Sequence, residues 1–154
     1  MTFTDWETPQ GFFNNIDKEF HFTLDVCANK SNRKCINYLD HENDGLTYDW
    51  SNDICWMNPP YDRSIGLWIK KAYETAQNGG TVVALIQGRS TDTIWWHEYV
   101  MKASEIRIIK DRLHFGKNKK FTRANISSVL VIFRPNYKGY PSICSINNKG
   151  ERNI

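Results

Sequence analysis

Residues 54–61 read Ile-Cys-Trp-Met-Asn-Pro-Pro-Tyr, an apolar run that ends in a proline-stiffened tetrapeptide. The apolar run predicts a buried strand, and α/β sheets bind ligands in the crevice at the carboxyl ends of such strands. The side-chain carbonyl of Asn58 and the backbone carbonyl of Pro59 can each accept one N–H of an amine, which aims its lone pair at an electrophile. The prolines fix φ and remove donors, and Tyr61 offers a ring on which a flipped base can stack. These features favour methyl transfer to a nitrogen, of adenine or of a glutamine amide, with the catalytic residues Asn58, Pro59, Pro60 and Tyr61.

Strand-like and helix-like patterns alternate on both sides of this segment, which predicts an α/β sheet with helices on both faces. Thr8 is the predicted N-cap, and Pro9 the first-turn proline, of a helix that runs to about Lys18. Ser64 is predicted to cap a second helix, which residues 78–80 end. Residues 93–102 predict a third helix, whose tryptophans we expect in the core. The predicted strands are 20–27, 35–39, 54–57, 81–86, 106–109 and 126–133, the last two pairing as an antiparallel hairpin.

The length of 154 residues suits one domain with a substantial core. We therefore expect a single methyltransferase domain over residues 1–154, with no separate target-recognition domain and with 135–154 as a C-terminal extension. The first residues lack a basic segment followed by an apolar run, and no run of eighteen apolar residues occurs. We expect a soluble cytoplasmic protein, without membrane association and without an evident obligate protein partner.

The four cysteines show no Cys-x-x-Cys spacing, which favours reduced, mostly buried thiols. His21, Cys27, Cys35 and His41 are almost symmetrically spaced, but they fit no established zinc-ligand spacing. We therefore expect no metal.

Charge is unevenly distributed along the chain. Residues 1–77 contain seven Lys or Arg against twelve Asp or Glu, whereas residues 78–154 contain thirteen against five. The excess of positive charge is greatest in a stretch with Gly116, Asn118 and Asn125, which predicts a mobile basic loop able to follow a phosphate backbone. A solvated surface loop is the alternative. The candidate DNA-binding residues are Arg89, Arg112, Lys117, Lys119, Lys120 and Arg123.

Six short patterns occur at characteristic spacings between about Trp6 and Phe133. They are Trp6-x-Thr8-Pro9, Leu24-Asp25-Val26-Cys27-Ala28, Asp44-Gly45-Leu46 with Trp50, Trp56-x-Asn58-Pro59-Pro60-Tyr61, Gly88-Arg89-Ser90 with Trp95-Trp96, and Arg112-Leu113-x-Phe115. Together they resemble the phage-type DNA N6-adenine methyltransferases, the Dam-like family. The resemblance implies a Rossmann-like class I methyltransferase fold with a mixed seven-stranded sheet, S-adenosylmethionine as donor and S-adenosylhomocysteine as product. The implied acceptor is the N6 amine of a flipped adenine in double-stranded DNA.

The resemblance also implies a donor site. Thr8 and the first N–H groups of its helix would hold the donor's carboxylate, Asp25 would face its ammonium and sulfonium end, and Asp44 would accept from its adenine amine. Asp40 or Glu42 would bind the ribose hydroxyls, and the sequence does not choose between them. The full implied set is Trp6, Thr8, Pro9, Asp25, Cys27, Ala28, Asp44, Leu46 and Asn58. Residues 27–32 lack the glycine-rich turn of common methyltransferases, which leaves the donor's backbone contacts undefined.

Two alternatives stay open. The tetrapeptide also suits RNA or a protein glutamine amide, although the basic stretch favours nucleic acid. The missing glycines suit a catalytically inactive DNA-binding module of the same fold. For the favoured reaction, we expect residues 113–125 to read a short or relaxed target sequence. The resemblance suggests a phage, prophage or plasmid origin, a bacterial host cytoplasm as location, and protection from restriction as role.

Overall fold

The computed structural model describes residues 6–152, which form a mixed sheet with helices packed on both faces. The helices are α1 (Gln10–Phe20), α2 (Ile65–Gln77) and α3 (Ile94–Glu98), the last followed by a 3-10 turn at Val100–Lys102. The strands are β1 (Leu24–Asp25), β2 (Ile54–Met57), β3 (Thr81–Gln87), β4 (Glu105–Lys110), β5 (His114–Lys117), β6 (Lys120–Arg123), β7 (Ser128–Phe133) and β8 (Ser142–Asn147).

The order of strands in the main sheet is β1-β2-β3-β7-β4-β8. Strands β1, β2 and β3 are parallel, so their carboxyl ends meet at one edge of the sheet. Strand β7 is antiparallel to both of its neighbours and begins at that edge, where Ser128 pairs with Gln87. Strand β4 therefore ends at the same edge, and the segment between β4 and β7 must lie there too. That segment contains the separate two-stranded sheet β5-β6.

Two apolar layers cover the sheet, and alternation along β3 assigns its residues to them. Val82, Ala84 and Ile86 face a layer that contains the buried stripe of α2, while Val83 and Leu85 face a layer that contains α1. The α1 stripe consists of Phe12, Phe13, Ile16 and Phe20, and that of α2 includes Ile65, Trp68, Ile69, Ala72 and Ala76. Trp96 of α3 is buried in the core, as predicted, whereas Trp95 is half-buried and packs against the α2 layer.

The predicted combination of a mixed sheet and helices is confirmed, but the main sheet has six strands rather than seven. Residues 35–39 do not form the predicted strand, and Tyr38 makes only an isolated parallel bridge to Asp25. The predicted strand 20–27 is also wrong for most of its length. Helix α1 continues to Phe20 and ends at the left-handed His21, whose φ is 56°, so only Leu24–Asp25 is left to pair with β2.

The antiparallel pairing of β4 with β7 is confirmed, but the basic loop predicted between them is a hairpin. Asn118 and Lys119 form its two-residue turn with φ of 53° and 64°, the backbone signs that a type I′ turn requires. Residues 135–154, expected to be a C-terminal extension, include β8, whose six residues pair with β4 at the edge of the sheet.

Candidate functional site

The amide of Asn58 is held in one orientation by two contacts from the start of the described chain. Its Nδ2 lies 3.3 Å from the backbone oxygen of Trp6 and 3.3 Å from Oγ1 of Thr8. A backbone oxygen can only accept, so the nitrogen must face Trp6 and the amide cannot be turned over. No residue from 6 to 152 donates a hydrogen bond to Oδ1 of Asn58 or to the backbone oxygen of Pro59. The two acceptors that the sequence singled out are therefore both available to a ligand.

A cavity of about 300 Å³ adjoins these acceptors. Its floor is formed by the tetrapeptide and the carboxyl end of β3, and its roof by the β5-β6 hairpin and the segment that leads into β7. The lining residues are Trp6, Asn58, Pro59, Tyr61, Leu85, Ile86, Gln87, Phe115, Thr122, Arg123, Ala124, Asn125, Ile126 and Ser128. This volume lies at the lower end of the range for small-molecule sites, which suits a single planar base.

Tyr61 is fixed at its hydroxyl group. The phenolic oxygen lies 2.6 Å from Oγ of Ser90 and 3.4 Å from the backbone oxygen of Gln87, which it reaches as a donor. Partial burial of the ring raises the pKa of this hydroxyl, so the phenol stays protonated near neutral pH. The ring is thus a neutral, anchored wall of the cavity. Ser90 of the Gly88-Arg89-Ser90 pattern positions Tyr61, a function that the sequence did not assign to it.

Thr8 is wrongly predicted as the N-cap of α1. The helix begins one residue later, at Gln10, with Pro9 in the N-cap position, and no side chain of residues 6–152 caps its first turn. Pro9 offers no side-chain acceptor, so the first N–H groups of α1 are open to an anion. The hydroxyl of Thr8, which is 2% exposed, contacts Asn58 instead.

Asp25 is buried behind Asn58 at the end of β1, with only 2% of its surface exposed. Its carboxylate accepts hydrogen bonds from the backbone N–H of Cys27, at 3.3 Å, and of Lys34, at 2.9 Å. Burial is the larger effect, and it raises the pKa of Asp25 from 3.8 to about 7 despite these bonds. A buried carboxyl with such a pKa is suited to meet a positively charged ligand group.

A second, much smaller cavity of about 10 Å³ lies between Asp25 and the start of α1. Its lining residues are Trp6, Glu7, Thr8, Asp25, Cys27, Asn32, Lys34, Trp56 and Asn58. The side chain of Lys34 crosses this region, since its ammonium lies 3.2 Å from Oε1 of Glu7 and 2.9 Å from Oε1 of Gln10. The remaining space is enough for about one water molecule.

The β5-β6 hairpin carries the positive charge to the rim of the large cavity. Gly116 on β5 exchanges backbone hydrogen bonds with Glu7, at 2.7 and 2.9 Å, which fixes the hairpin beside the start of α1. The ammonium of Lys117 lies 5.3 Å from the centre of the Trp6 ring. Four cationic side chains of the hairpin are exposed, those of Lys117, Lys119, Lys120 and Arg123, and the last also lines the cavity.

Comparison with known proteins identifies the family. A family model described as DNA N-6-adenine-methyltransferase (Dam) matches residues 3–153. A DNA N-6-adenine-methyltransferase of Haemophilus phage HP1 (strain HP1c1) is 32% identical over 136 residues, which are 84% of this chain and 78% of the relative. The chain belongs to the DNA N-6-adenine-methyltransferase family. The resemblance found in the sequence is therefore confirmed, and the protein is an adenine-specific DNA methyltransferase.

The donor residues implied for this methyltransferase family fall into two groups. Trp6, Thr8, Asp25, Cys27 and Asn58 all line the small cavity. Pro9, Ala28, Asp44 and Leu46 do not. The N–H of Ala28 is already bonded to the backbone oxygen of Leu39, at 3.1 Å.

The acidic turn that follows in the methyltransferase chain is compactly folded. Asp44 is exposed with a φ of 47°, and the next residue, Gly45, packs between the backbone of Val26 and the ring of Trp68. Asp40 accepts bonds from the N–H groups of Glu42 and Asn43, at 2.9 and 3.3 Å, and so stabilises the turn. The side chain of Glu42 is exposed and makes no such contact within the described chain.

Of the remaining DNA-binding candidates, Arg89 is exposed and does not line the methyltransferase cavity, but its neighbour Ser90 bonds to Tyr61, which does. Arg112 precedes the hairpin and does not line the cavity. Sequence reasoning missed Gln87, Ser128, Phe115 and Thr122, which do. Gln87 carried a usable signal, because it is the first polar residue after five apolar ones in β3.

Residues 6–152 contain neither a metal-binding cluster nor a membrane-spanning helix. No group of three or more His, Cys, Asp or Glu residues is arranged to hold a metal ion, and His21, Cys27, Cys35 and His41 form no cluster of that kind. No helix in this range is long and apolar enough to cross a membrane. All four cysteines are free thiols, and burial raises the pKa of Cys27 and of Cys55.

Proposed function

We propose that this protein transfers a methyl group from S-adenosylmethionine to the N6 amine of an adenine that is flipped out of double-stranded DNA. We further propose that its main sheet is a Rossmann-like class I methyltransferase sheet. The observation that carries the proposal is the orientation of Asn58, whose carbonyl oxygen accepts no hydrogen bond from residues 6–152 and lies beside a cavity of about 300 Å³. Family membership supplies the class of reaction.

The acceptor half of the reaction rests on the tetrapeptide. The amine of adenine is a poor nucleophile because its lone pair is delocalised into the ring. Oδ1 of Asn58 and the backbone oxygen of Pro59 each accept one N–H, which favours a pyramidal nitrogen and stabilises the positive charge that develops on it. Tyr61, anchored through Ser90, stacks on the base and replaces part of the stacking lost from the duplex. Pro60 keeps the loop rigid.

The donor half rests on Asp25 and the start of α1. S-adenosylmethionine supplies a methyl group on a positively charged sulfur. The carboxyl of Asp25 suits the donor's ammonium group, and the uncapped N-terminus of α1 suits its carboxylate. The chemical character of these residues therefore fits the donor, whereas the space between them does not until Lys34 leaves Glu7 and Gln10. We propose that donor binding displaces the Lys34 side chain.

The DNA half rests on the exposed cations of the hairpin, at the rim of the same cavity. Lys117, Lys119, Lys120 and Arg123 would contact phosphates on either side of the flipped nucleotide, and Arg89 would extend this surface. Direct base reading is left to a few short segments, so we propose a short or relaxed target sequence. The phage source of the similar methyltransferase agrees with the expected phage, prophage or plasmid origin.

The decisive test is Asn58→Ala, with Asn52→Ala as the matched control because Asn52 is exposed. Methyl incorporation into duplex DNA should fall by about 10²–10³-fold in Asn58→Ala, as for the loss of one positioned polar group in other active sites. Donor binding, measured by calorimetry, should change far less. Nearly full activity of Asn58→Ala on DNA would show that the residue does not hold the amine.

A second experiment separates the acceptor classes and maps the target. Unlabelled DNA, RNA and protein should compete differently for labelled methyl incorporation, and only DNA is expected to compete strongly. Sequencing of methylated plasmid DNA should place N6-methyladenine in a short or degenerate context. A long, strictly conserved site would contradict the relaxed specificity.

A further inference from the structure

Gln87 lines the large cavity, and no residue from 6 to 152 bonds to its side-chain amide. It is the last residue of β3, and its side chain projects to the same face as Leu85, which is the cavity side of the sheet. Its Oε1 is buried and accepts no hydrogen bond within residues 6–152. A buried acceptor without a partner destabilises a fold, and leucine would fit the apolar pattern of β3 equally well. This cost suggests that the amide of Gln87 is kept because it contacts a ligand.

The described neighbours of Gln87 bond to its backbone and not to its side chain. The hydroxyl of Tyr61 reaches the backbone oxygen of Gln87 at 3.4 Å, and Ser128 on β7 pairs directly with it. No residue from 6 to 152 bonds to either end of the amide, and Oε1 is buried, so the N–H₂ end is the one that a molecule in the cavity can reach. Asn58 differs, because Trp6 fixes its orientation.

We propose that Gln87 is a specificity residue that donates an amide N–H to a ring nitrogen of the target adenine, N1 or N7. This inference rests on the proposed function, in which Asn58 and Pro59 accept the two hydrogens of the amine. The ring nitrogens N1 and N7 are acceptors that lie on the two sides of that amine. In DNA recognition, amide side chains pair with the edge of adenine that carries N6 and N7. The cavity then contacts the base with two acceptors, one donor and the Tyr61 ring.

The test combines a change in the enzyme with a change in the base. Duplexes carry adenine, 1-deazaadenine or 7-deazaadenine at one mapped target position, and methylation is measured for wild type and Gln87→Leu. We expect kcat/KM of the wild type to fall by about 10-fold or more for one of the two analogues. Gln87→Leu should show a similar loss on adenine itself and no further loss on that analogue.

Equal penalties for each analogue in wild type and Gln87→Leu would overturn the proposal. Gln87→Glu provides a second variant of the same length, which removes the N–H donor and should also lose its sensitivity to that analogue. Thermal unfolding of each variant checks that the comparison is between folded proteins. If the wild type failed to methylate unmodified adenine, the proposed function itself would fail, and this outcome is distinct from a failure of the role of Gln87.

Discussion

Asp25→Asn should gain stability relative to the wild type as pH rises from 4 to 8. Asp25 is 2% exposed, and its burial raises its pKa from 3.8 to about 7. Ionisation of this side chain therefore opposes folding as pH rises above 3.8, and the full cost is reached near pH 7. Asparagine carries no charge, but it has only one oxygen, whereas the N–H groups of Cys27 and Lys34 bond to different oxygens of Asp25. One of these N–H groups therefore loses its acceptor in Asp25→Asn, which costs about 1–3 kcal/mol at every pH.

The magnitude follows from the shift in pKa. A difference of about 3 pH units corresponds to about 4 kcal/mol, since each unit is worth about 1.4 kcal/mol. Between pH 4 and pH 7 the folded state binds more protons at Asp25 than the unfolded state does. The stability that Asp25 contributes therefore falls as pH rises through this window, by up to about 1.4 kcal/mol per unit, and stays low above it. The advantage of Asp25→Asn should grow over the same range and then level off.

Urea unfolding of both proteins at half-unit intervals from pH 4 to pH 8.5 measures this difference. Taking the difference between the two proteins removes the contributions of other titrating groups, such as Glu105. Burial acts to raise the pKa of Glu105, but its contacts with Arg107 lower it overall. A difference that stays constant across the range would refute the argument. The donor should bind more tightly to wild type as pH rises towards 7, whereas Asp25→Asn should bind it weakly at every pH.

The remaining predictions concern DNA affinity and packing. In a duplex-binding titration, Lys119→Ala and Lys120→Ala should each reduce the slope of log affinity against log salt by about 0.9. Lys70→Ala, an exposed control on α2, should leave the slope unchanged. Equal slopes for all three variants would exclude the hairpin from the interface. Gly45→Ala should destabilise the fold by about 1–3 kcal/mol in urea unfolding, because the new Cβ would lie 2.9 Å from the backbone oxygen of Val26 and 3.1 Å from the Trp68 ring. Gly11→Ala is the control, since nothing lies within 4 Å of its new Cβ, and it should be neutral or stabilising by about 0.4–1 kcal/mol.

The sequence could predict the features that depend on local patterns. The apolar run before Asn58 became β2, and the apolar run from Thr81 became the parallel neighbour of β2. Two parallel strands bring their carboxyl ends together, so Asn58 and Gln87 had to lie at one edge of the sheet. The sequence could therefore place the tetrapeptide at this edge, and its role in holding the amine stays a prediction.

The features that depend on distant contacts could not be predicted in this way. The pairing of Gly116 with Glu7 joins residues from opposite ends of the chain, and no local pattern records it. The same is true of Lys34, whose backbone N–H bonds to Asp25 and whose side chain reaches Glu7. Thr8 looked like a helix cap because threonine before proline commonly is one. The competing contact with Asn58 prevailed, and the helix began one residue later.

Asn58 and Trp6 are the residues that line both cavities in the described chain, and this gives Asn58 a second role. Its nitrogen faces Trp6 and Thr8 on the side of Asp25, while its oxygen accepts no hydrogen bond within residues 6–152 and, in the proposed reaction, holds the amine of the base. Direct methyl transfer requires the amine nitrogen to contact the donor's methyl group in line with the sulfur, so in the proposed reaction the two cavities must open to each other beside Asn58. An amide suits this junction, because one end is fixed by Trp6 while the other end can hold the amine. Any shift of Trp6 would therefore turn the acceptor away from the base, and contact of Lys117 with the Trp6 ring would link DNA binding to that alignment.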